Sequence, residues 1–114
     1  SLPFVKIDQR ALHQILMNLF SNSADALEGS EDPKIKISAF VKDKRVWIEI
    51  EDNGVGMIEE QVLNLFKPFH TSKPHGTGLG LVITKRMVTR MNGTITVTSR
   101  PSVGTTVGLS FSPA

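Results

Sequence analysis

Three short stretches of this sequence carry residue types and spacings that could do chemistry. The first is "HTSKPHGTGLGL", His70 to Leu81, where Gly76, Gly78 and Gly80 follow a lysine, Lys73, and two histidines. A phosphate loop of the form G-x-x-x-x-G-K-[ST] places its lysine after the glycines, and here it comes before them. A dinucleotide fingerprint needs G-x-G-x-x-G directly after a strand, whereas this spacing is G-x-G-x-G and follows a loop. What remains is general physics. The glycines lead into a helix start, where unpaired N–H groups and the helix dipole favour an anion. Glycine also lets the backbone approach a ligand closely. On this segment alone, a flexible loop and an anion site stand level.

The second stretch is "DNGVGM", Asp52 to Met57. Asn-Gly is a strong turn signal, so a plain tight turn is one reading. A carboxylate at a strand end has another use: it accepts a hydrogen bond from an exocyclic amine such as adenine's, worth about 1.5–3 kcal/mol. The third is a row on one helix. At about 100° per residue, Gln14, Asn18, Asn22 and Asp25 fall within a sector roughly 80° wide. Such a row is either a solvated flank or a source of amide oxygen for Mg2+. That ion keeps most of its water and takes one or two protein oxygens, with phosphates supplying others.

Composition narrows the field. A chain of 114 residues is one domain with room for a core, and it contains no cysteine, which excludes disulfides and thiolate metal sites. No apolar run approaches the roughly 20 residues of a membrane span, and no signal-peptide pattern opens the chain. Net charge is +2 and no block of like charge occurs, so the isoelectric point of 9.2 does not imply nucleic-acid binding. The abrupt opening, "SLPFVKID", reads as a strand entering a helix and suggests a fragment of a longer protein.

The elements that would position these residues follow from periodicity. Asp8 is a candidate N-cap for a helix over 8–28 ended by Gly29, with Leu12, Ile15, Leu16, Leu19, Phe20 and Leu27 on its core face. "KIKISAFV" and "RVWIEIED" alternate as two strands, each expected to bury one face, with "KDKR" as the turn between them. A short helix over 59–65 and a second amphipathic helix over 78–91, closed by Asn92-Gly93, come next. "TITVTS" and "TTVGLSF" finish the chain, joined by a turn through Pro101 and Gly104. The later strands pair antiparallel, with one face free to meet water, which predicts a two-layer α/β sandwich.

Taken together the motifs resemble a known family: the ATP-binding catalytic domain of sensor histidine kinases, in the group shared with gyrase, Hsp90 and MutL. "NLFSNSADA" is similar to the N box and "DNGVGM" to the first glycine box. "LFKPF" is similar to the F box, "GTGLGL" to the second glycine box, and "VGTTVGLSF" to the final Gly-Thr strand. The five occur in family order over nearly the whole chain. The resemblance implies an α+β Bergerat-type sandwich, a mixed sheet of about five strands covered on one face by about three helices, with residues 1–114 as one catalytic domain. It implies ATP and Mg2+ as ligands, Asn22 as the metal ligand, and Asn18 beside metal and phosphates. Asp52 would bind the adenine amine, with Gly54, Gly56 and Met57 against the base and Thr105 reaching it through water. Gly76, Thr77, Gly78, Leu79, Gly80 and Leu81 would lie between a mobile lid and the phosphates. Phe66 and Phe69 would meet a separate helical domain bearing the phosphoacceptor histidine, although ordinary core packing is equally open to them.

Two departures from the family pattern matter. Gyrase-like ATPases carry a glutamate four residues before the N-box Asn, and here that position is Asn18, which is no base. The resemblance therefore implies phosphoryl transfer to a protein rather than fast hydrolysis. Many histidine kinases place Lys or Arg three residues after the N-box Asn, where this chain has Asp25. Lys73, in a short lid similar to that of the nitrogen-regulation-type subgroup, is the candidate to supply that charge. None of the histidines is in an acceptor context: His13 precedes Gln14 inside the first helix, and His70 and His75 sit in the lid. The implied whole is a cytoplasmic kinase domain, monomeric alone, within a homodimeric sensor of a family that is often membrane-anchored and that serves a response regulator. An anti-sigma-type serine kinase, a gyrase-like ATPase and a non-catalytic nucleotide sensor are the alternatives. No nucleic-acid partner is expected.

Overall fold

The helical stripe read from the sequence becomes the centre of the molecule. A computed structural model describes residues 9–67 and 80–112. The elements are α1 (Gln9–Ala26), β1 (Ile35–Lys42), β2 (Arg45–Asp52), α2 (Glu59–Asn64), α3 (Gly80–Arg90), β3 (Thr94–Arg100) and β4 (Gly104–Phe111). Ile15 and Leu19 of α1 are buried with Val88 of α3, Ile50 of β2, and Leu109 and Phe111 of β4. This cluster joins both layers, helices on one side and sheet on the other. Asp8, the candidate cap of α1, lies outside the described residues. The helix ends at Ala26, two residues before the expected 28, and a turn carries the chain to Gly29, at φ 81 in the left-handed region.

The sheet order is β1-β2-β4-β3, and every pairing is antiparallel. The expected mixed sheet of about five strands is thus, among the described residues, an antiparallel sheet of four. The opening segment, read as a strand, lies outside them. Alternation in β2, β4 and β3 places Ile50, Val107 and Val97 in one cross-strand row facing the helices. The next row toward the sheet end is Asp52, Thr105 and Ser99. Polar groups therefore replace apolar ones on the same face, at one edge of the core.

The turn between β1 and β2 keeps both central residues, Asp43 at φ 55 and Lys44 at φ 62, in the left-handed region. That twist matches a two-residue hairpin. At the far end of α3, Asn92 at φ 57 lets Gly93 donate to the Val88 carbonyl at 2.9 Å, closing the helix. Gly93 then lies against the Phe111 ring, where a Cβ would come within 2.8 Å of ring carbon.

One expectation fails here. The apolar positions of β1 were read as a buried face, yet Ile37 is 51% and Val41 50% exposed. β1 is an edge strand, and α1 lies over β2 and β4 while α3 lies over β3. Alternation alone reports which side a residue takes, not whether a helix covers it. In urea denaturation, Ile15→Ala is expected to cost about 2–5 kcal/mol and Ile37→Ala less than about 1 kcal/mol. Equal costs would contradict the placement of β1 outside the core.

Candidate functional site

Asp52 ends β2 and is only 6% exposed. Its Oδ1 accepts the Gly54 N–H at 2.9 Å, which bends the chain back toward α1. Among the described residues this is its one side-chain hydrogen bond. No buried side-chain polar atom among them lacks a partner, so the second carboxylate oxygen reaches solvent. The result is an acceptor held by backbone on one side and open on the other.

Glycines make the close approaches around it. At Gly104, φ is 140 and an added Cβ would lie 2.0 Å from the Asp52 carbonyl oxygen. At Gly54 it would lie 2.5 Å from the carbonyl oxygen of Ala26, the last residue of α1. At Gly56 it would lie 1.9 Å from the Arg100 carbonyl oxygen. Val55 N–H also donates to the Ala26 carbonyl at 3.1 Å, and Ser102 N–H to that of Val55 at 2.7 Å. The loop after β2 is thus wedged between the end of α1 and the turn joining β3 to β4. This packing brings Asp52 to the end of α1 that carries Asn22 and Asp25.

Asn18 and Asn22 are half-buried, while Asp25 and Gln14 are exposed. Asn18 Nδ2 donates to Thr84 Oγ1 at 3.2 Å, and Thr84 on α3 is fully buried. The row is thus split: Gln14 and Asp25 face solvent, while Asn18 ties α1 to α3, the helix that Gly80 opens and whose Leu81 packs on the core. Among the described residues, no three His, Cys, Asp or Glu side chains group to hold a metal. Asn18 and Asn22 offer at most two amide oxygens, a set that suits Mg2+ only when phosphates complete it. Lys73, Gly76, Thr77, Gly78, Leu79, Phe69, His70 and His75 lie outside the described residues.

Phe66 is half-buried, with Lys85 Nζ 4.9 Å from its ring centroid. It lines an open hollow of about 480 Å3 with Val82, Lys85, Arg86, Thr89 and Arg90. A second hollow of about 290 Å3 runs between Ala26, Gly29, Asn53, Val55 and Ser102. Neither is lined by Asp52 or Thr105. The geometry of the glycine loops, not the volume of either hollow, marks the site.

Three contributors were not singled out from sequence. Asn53 bridges to the segment before β1: its Oδ1 accepts Lys34 N–H at 2.8 Å and its Nδ2 donates to the Asp32 carbonyl at 2.9 Å. Thr84 receives Asn18. Ser99 bonds Met57 N–H at 2.9 Å and lies 2.7 Å from Thr105 Oγ1. The signal for Ser99 was present, as a polar residue at the inward position after Ile95 and Val97. Those for Asn53 and Thr84 were not, since turn chemistry and helix spacing explain them equally well.

The profile of the histidine kinase-, DNA gyrase B- and HSP90-like ATPases matches residues 7–114. The C4-dicarboxylate transport sensor protein DctB of Rhizobium meliloti is 40% identical over 103 residues, 90% of this chain and 16% of that protein. Sensor histidine kinase ZraS of Escherichia coli is 34% identical, over 96% of this chain and 23% of that protein. The solved catalytic domain of histidine kinase ThkA superposes with a TM-score of 0.81 at 30% identity, covering 96% of this chain and 70% of that one. Full-length ShkA, solved with AMPPNP, gives 0.79 at 28% identity, covering 99% of this chain and 24% of that one. The chain belongs to the histidine kinase-, DNA gyrase B- and HSP90-like ATPase family, as the ATP-binding catalytic domain of a histidine kinase. Among its described residues, no helix is long and apolar enough to cross a membrane.

A side chain at residue 104 must displace the Asp52 backbone. Gly104→Ala is expected to cost roughly 2–4 kcal/mol and to shift the Gly54 amide resonance. A thermal transition and a Gly54 resonance both unchanged would contradict the close approach.

Proposed function

We propose that this chain binds ATP with Mg2+ and transfers the γ-phosphoryl group to a histidine on a separate dimeric helical domain. The observation that carries the reading is Asp52: a buried carboxylate, fixed by one backbone N–H, with its other oxygen open beside Thr105. An amine of adenine is the donor such a group needs. Gly54, Gly56 and Met57 would lie against the base, and Thr105 stands in register with Asp52 on the next strand.

At the same end of α1, Asn22 would supply an amide oxygen for Mg2+, and Asn18, anchored on Thr84, would flank it. When bound, the metal neutralises phosphate charge. Asp25 adds a negative charge at the same end, which Mg2+ or a cation would offset at the phosphates, and Lys73 of the lid is the candidate for that cation. The lid glycines, Gly76 and Gly78 with Thr77 and Leu79, and the start of α3 at Gly80 and Leu81 would face the phosphates with backbone N–H groups. Catalysis is then positioning and charge neutralisation, the main resources in phosphoryl transfer.

The acceptor histidine and its base belong to the adjoining domain, which would dock through Phe66, Phe69 and the groove beside α3. The whole protein would be a homodimeric two-component sensor, with this domain cytoplasmic and a response regulator downstream. A gyrase-like hydrolase is disfavoured by Asn18, whose amide nitrogen is bonded to Thr84 and whose side chain cannot take a proton from water.

Asp52→Asn is expected to weaken ADP binding about tenfold or more, because an acceptor becomes a group able to present a donor to a donor. Calorimetry checks it, and undiminished affinity would remove the base site from Asp52. For Asn22→Ala, phosphohistidine formation on an added helical domain is expected to fall at least about tenfold and to lose its response to Mg2+. Transfer at the parent rate would exclude Asn22 as the metal ligand.

A further inference from the structure

We infer that the outer face of the sheet, the side away from the helices, carries a docking site for an arginine of a protein partner, built by Trp47 and Glu49 over Gly108. The site is independent of the nucleotide reading and uses none of the residues assigned to it.

Strand register sets this face out in rows. One row is Phe40, Trp47, Ser110 and Thr94, and the next is Ser38, Glu49, Gly108 and Thr96. Trp47, the one tryptophan of the chain, thus points away from the side on which Ile48 and Ile50 join the core. Its Nε1 donates to the Lys42 carbonyl at 3.2 Å. Its ring is parallel to that of Phe40 within 6°, with centroids 6.4 Å apart. At that offset each ring keeps part of a face to itself. A cross-strand aromatic pair steadies a hairpin, and the pair alone needs no other explanation. The neighbouring row adds what a hairpin does not need.

Three side chains converge over Gly108. A Cβ there would lie 2.9 Å from Thr96 Oγ1, 3.8 Å from Glu49 Oε2 and 3.8 Å from Trp47 Cε3. Glycine therefore leaves a cradle with a hydroxyl, a carboxylate and an aromatic edge around it. Glu49 is half-buried, and Ser38 and Gly108 stand opposite it, so neither neighbouring strand offers it a cation in register. Among the described residues it makes no ion pair or hydrogen bond. The cations of this face are placed elsewhere. Arg45 lies four residues back along β2, about 13 Å between Cα atoms. Its guanidinium bonds Ser110, Ser112 and the Asn92 carbonyl. Lys36 stands opposite Glu51.

The unmet charge is negative and sits beside an aromatic ring. A guanidinium answers both features: it is flat enough to stack on an indole, and its fork of N–H donors matches a carboxylate. An ammonium matches the charge but has no plane to stack. The face is also open, since neither hollow described above is lined by Trp47 or Glu49. A free small molecule would be little enclosed there, whereas an arginine on a protein surface brings its own neighbours.

Titration with tetra-arginine peptide, and tetra-lysine for comparison, tests the site, because the fluorescence of the one tryptophan reports on it directly. Tetra-arginine is expected to change Trp47 emission saturably and to bind at least about threefold tighter than tetra-lysine. Glu49→Gln is expected to weaken tetra-arginine roughly three- to tenfold. Gly108→Ala keeps every charge and is expected to weaken it too, because a methyl group fills the cradle; should that variant not fold, Glu49→Gln carries the test. In Trp47→Leu, followed through the Gly108 amide resonance, the two peptides are expected to bind alike. Equal binding of both peptides by the parent chain, or an affinity unchanged in Glu49→Gln, would overturn the inference. So would amide shifts confined to Glu28, Glu31 and Asp32, which would place the peptide on the acidic segment after α1 instead.

Discussion

The backbone oxygen of Asp52 occupies the space that a side chain at residue 104 would need, and the site is organised around that contact. Two strands meet there without a Cβ between them, so the end of β2 and the start of β4 approach as closely as backbone permits. Asp52 and Thr105 then share one row and one face. The Gly54 N–H holds the carboxylate, and Gly54 itself lies against the last carbonyl of α1. A carboxylate at a sheet end thereby acquires a fixed relation to a helix whose side chains carry the amides. Few interactions are involved, and most are backbone to backbone, which makes the arrangement insensitive to the solvent-facing residues around it.

Helix packing supplies the second constraint. Asn18 reaches across to Thr84, buried between α1 and α3. A polar bond in this position fixes the rotation of both helices, since an unpaired buried group costs about 1–3 kcal/mol. Asn22 lies one turn further along α1, so its direction follows from the same bond. The core cluster below sets the distance between layers, and the amide bond sets their register.

Much of this was legible from residues. The stripe of Ile15 and Leu19, the strand bounds of β2 and the stop at Gly29 follow from periodicity and local chemistry. Asp52 and Thr105 were assigned to a common site by resemblance, and the strand register now places them side by side. Coverage of β1 was not legible, because alternation gives a side and only topology gives a neighbour. Nor was the work of Ser99 and Asn53, which comes from hydrogen bonds across 42 residues in one case and about 20 in the other. Short polar residues in turns and at strand ends have many local uses, and the sequence does not distinguish a long-range one.

The proposed activity depends most on where a nucleotide base sits. An ADP titration followed through backbone amide resonances tests this directly. The amides of Gly54, Met57 and Thr105 are expected to shift and to saturate together with one binding constant. Binding that leaves all three unmoved, while the amides of Phe66, Val82 and Lys85 shift instead, would contradict it and place the ligand in the groove beside α3.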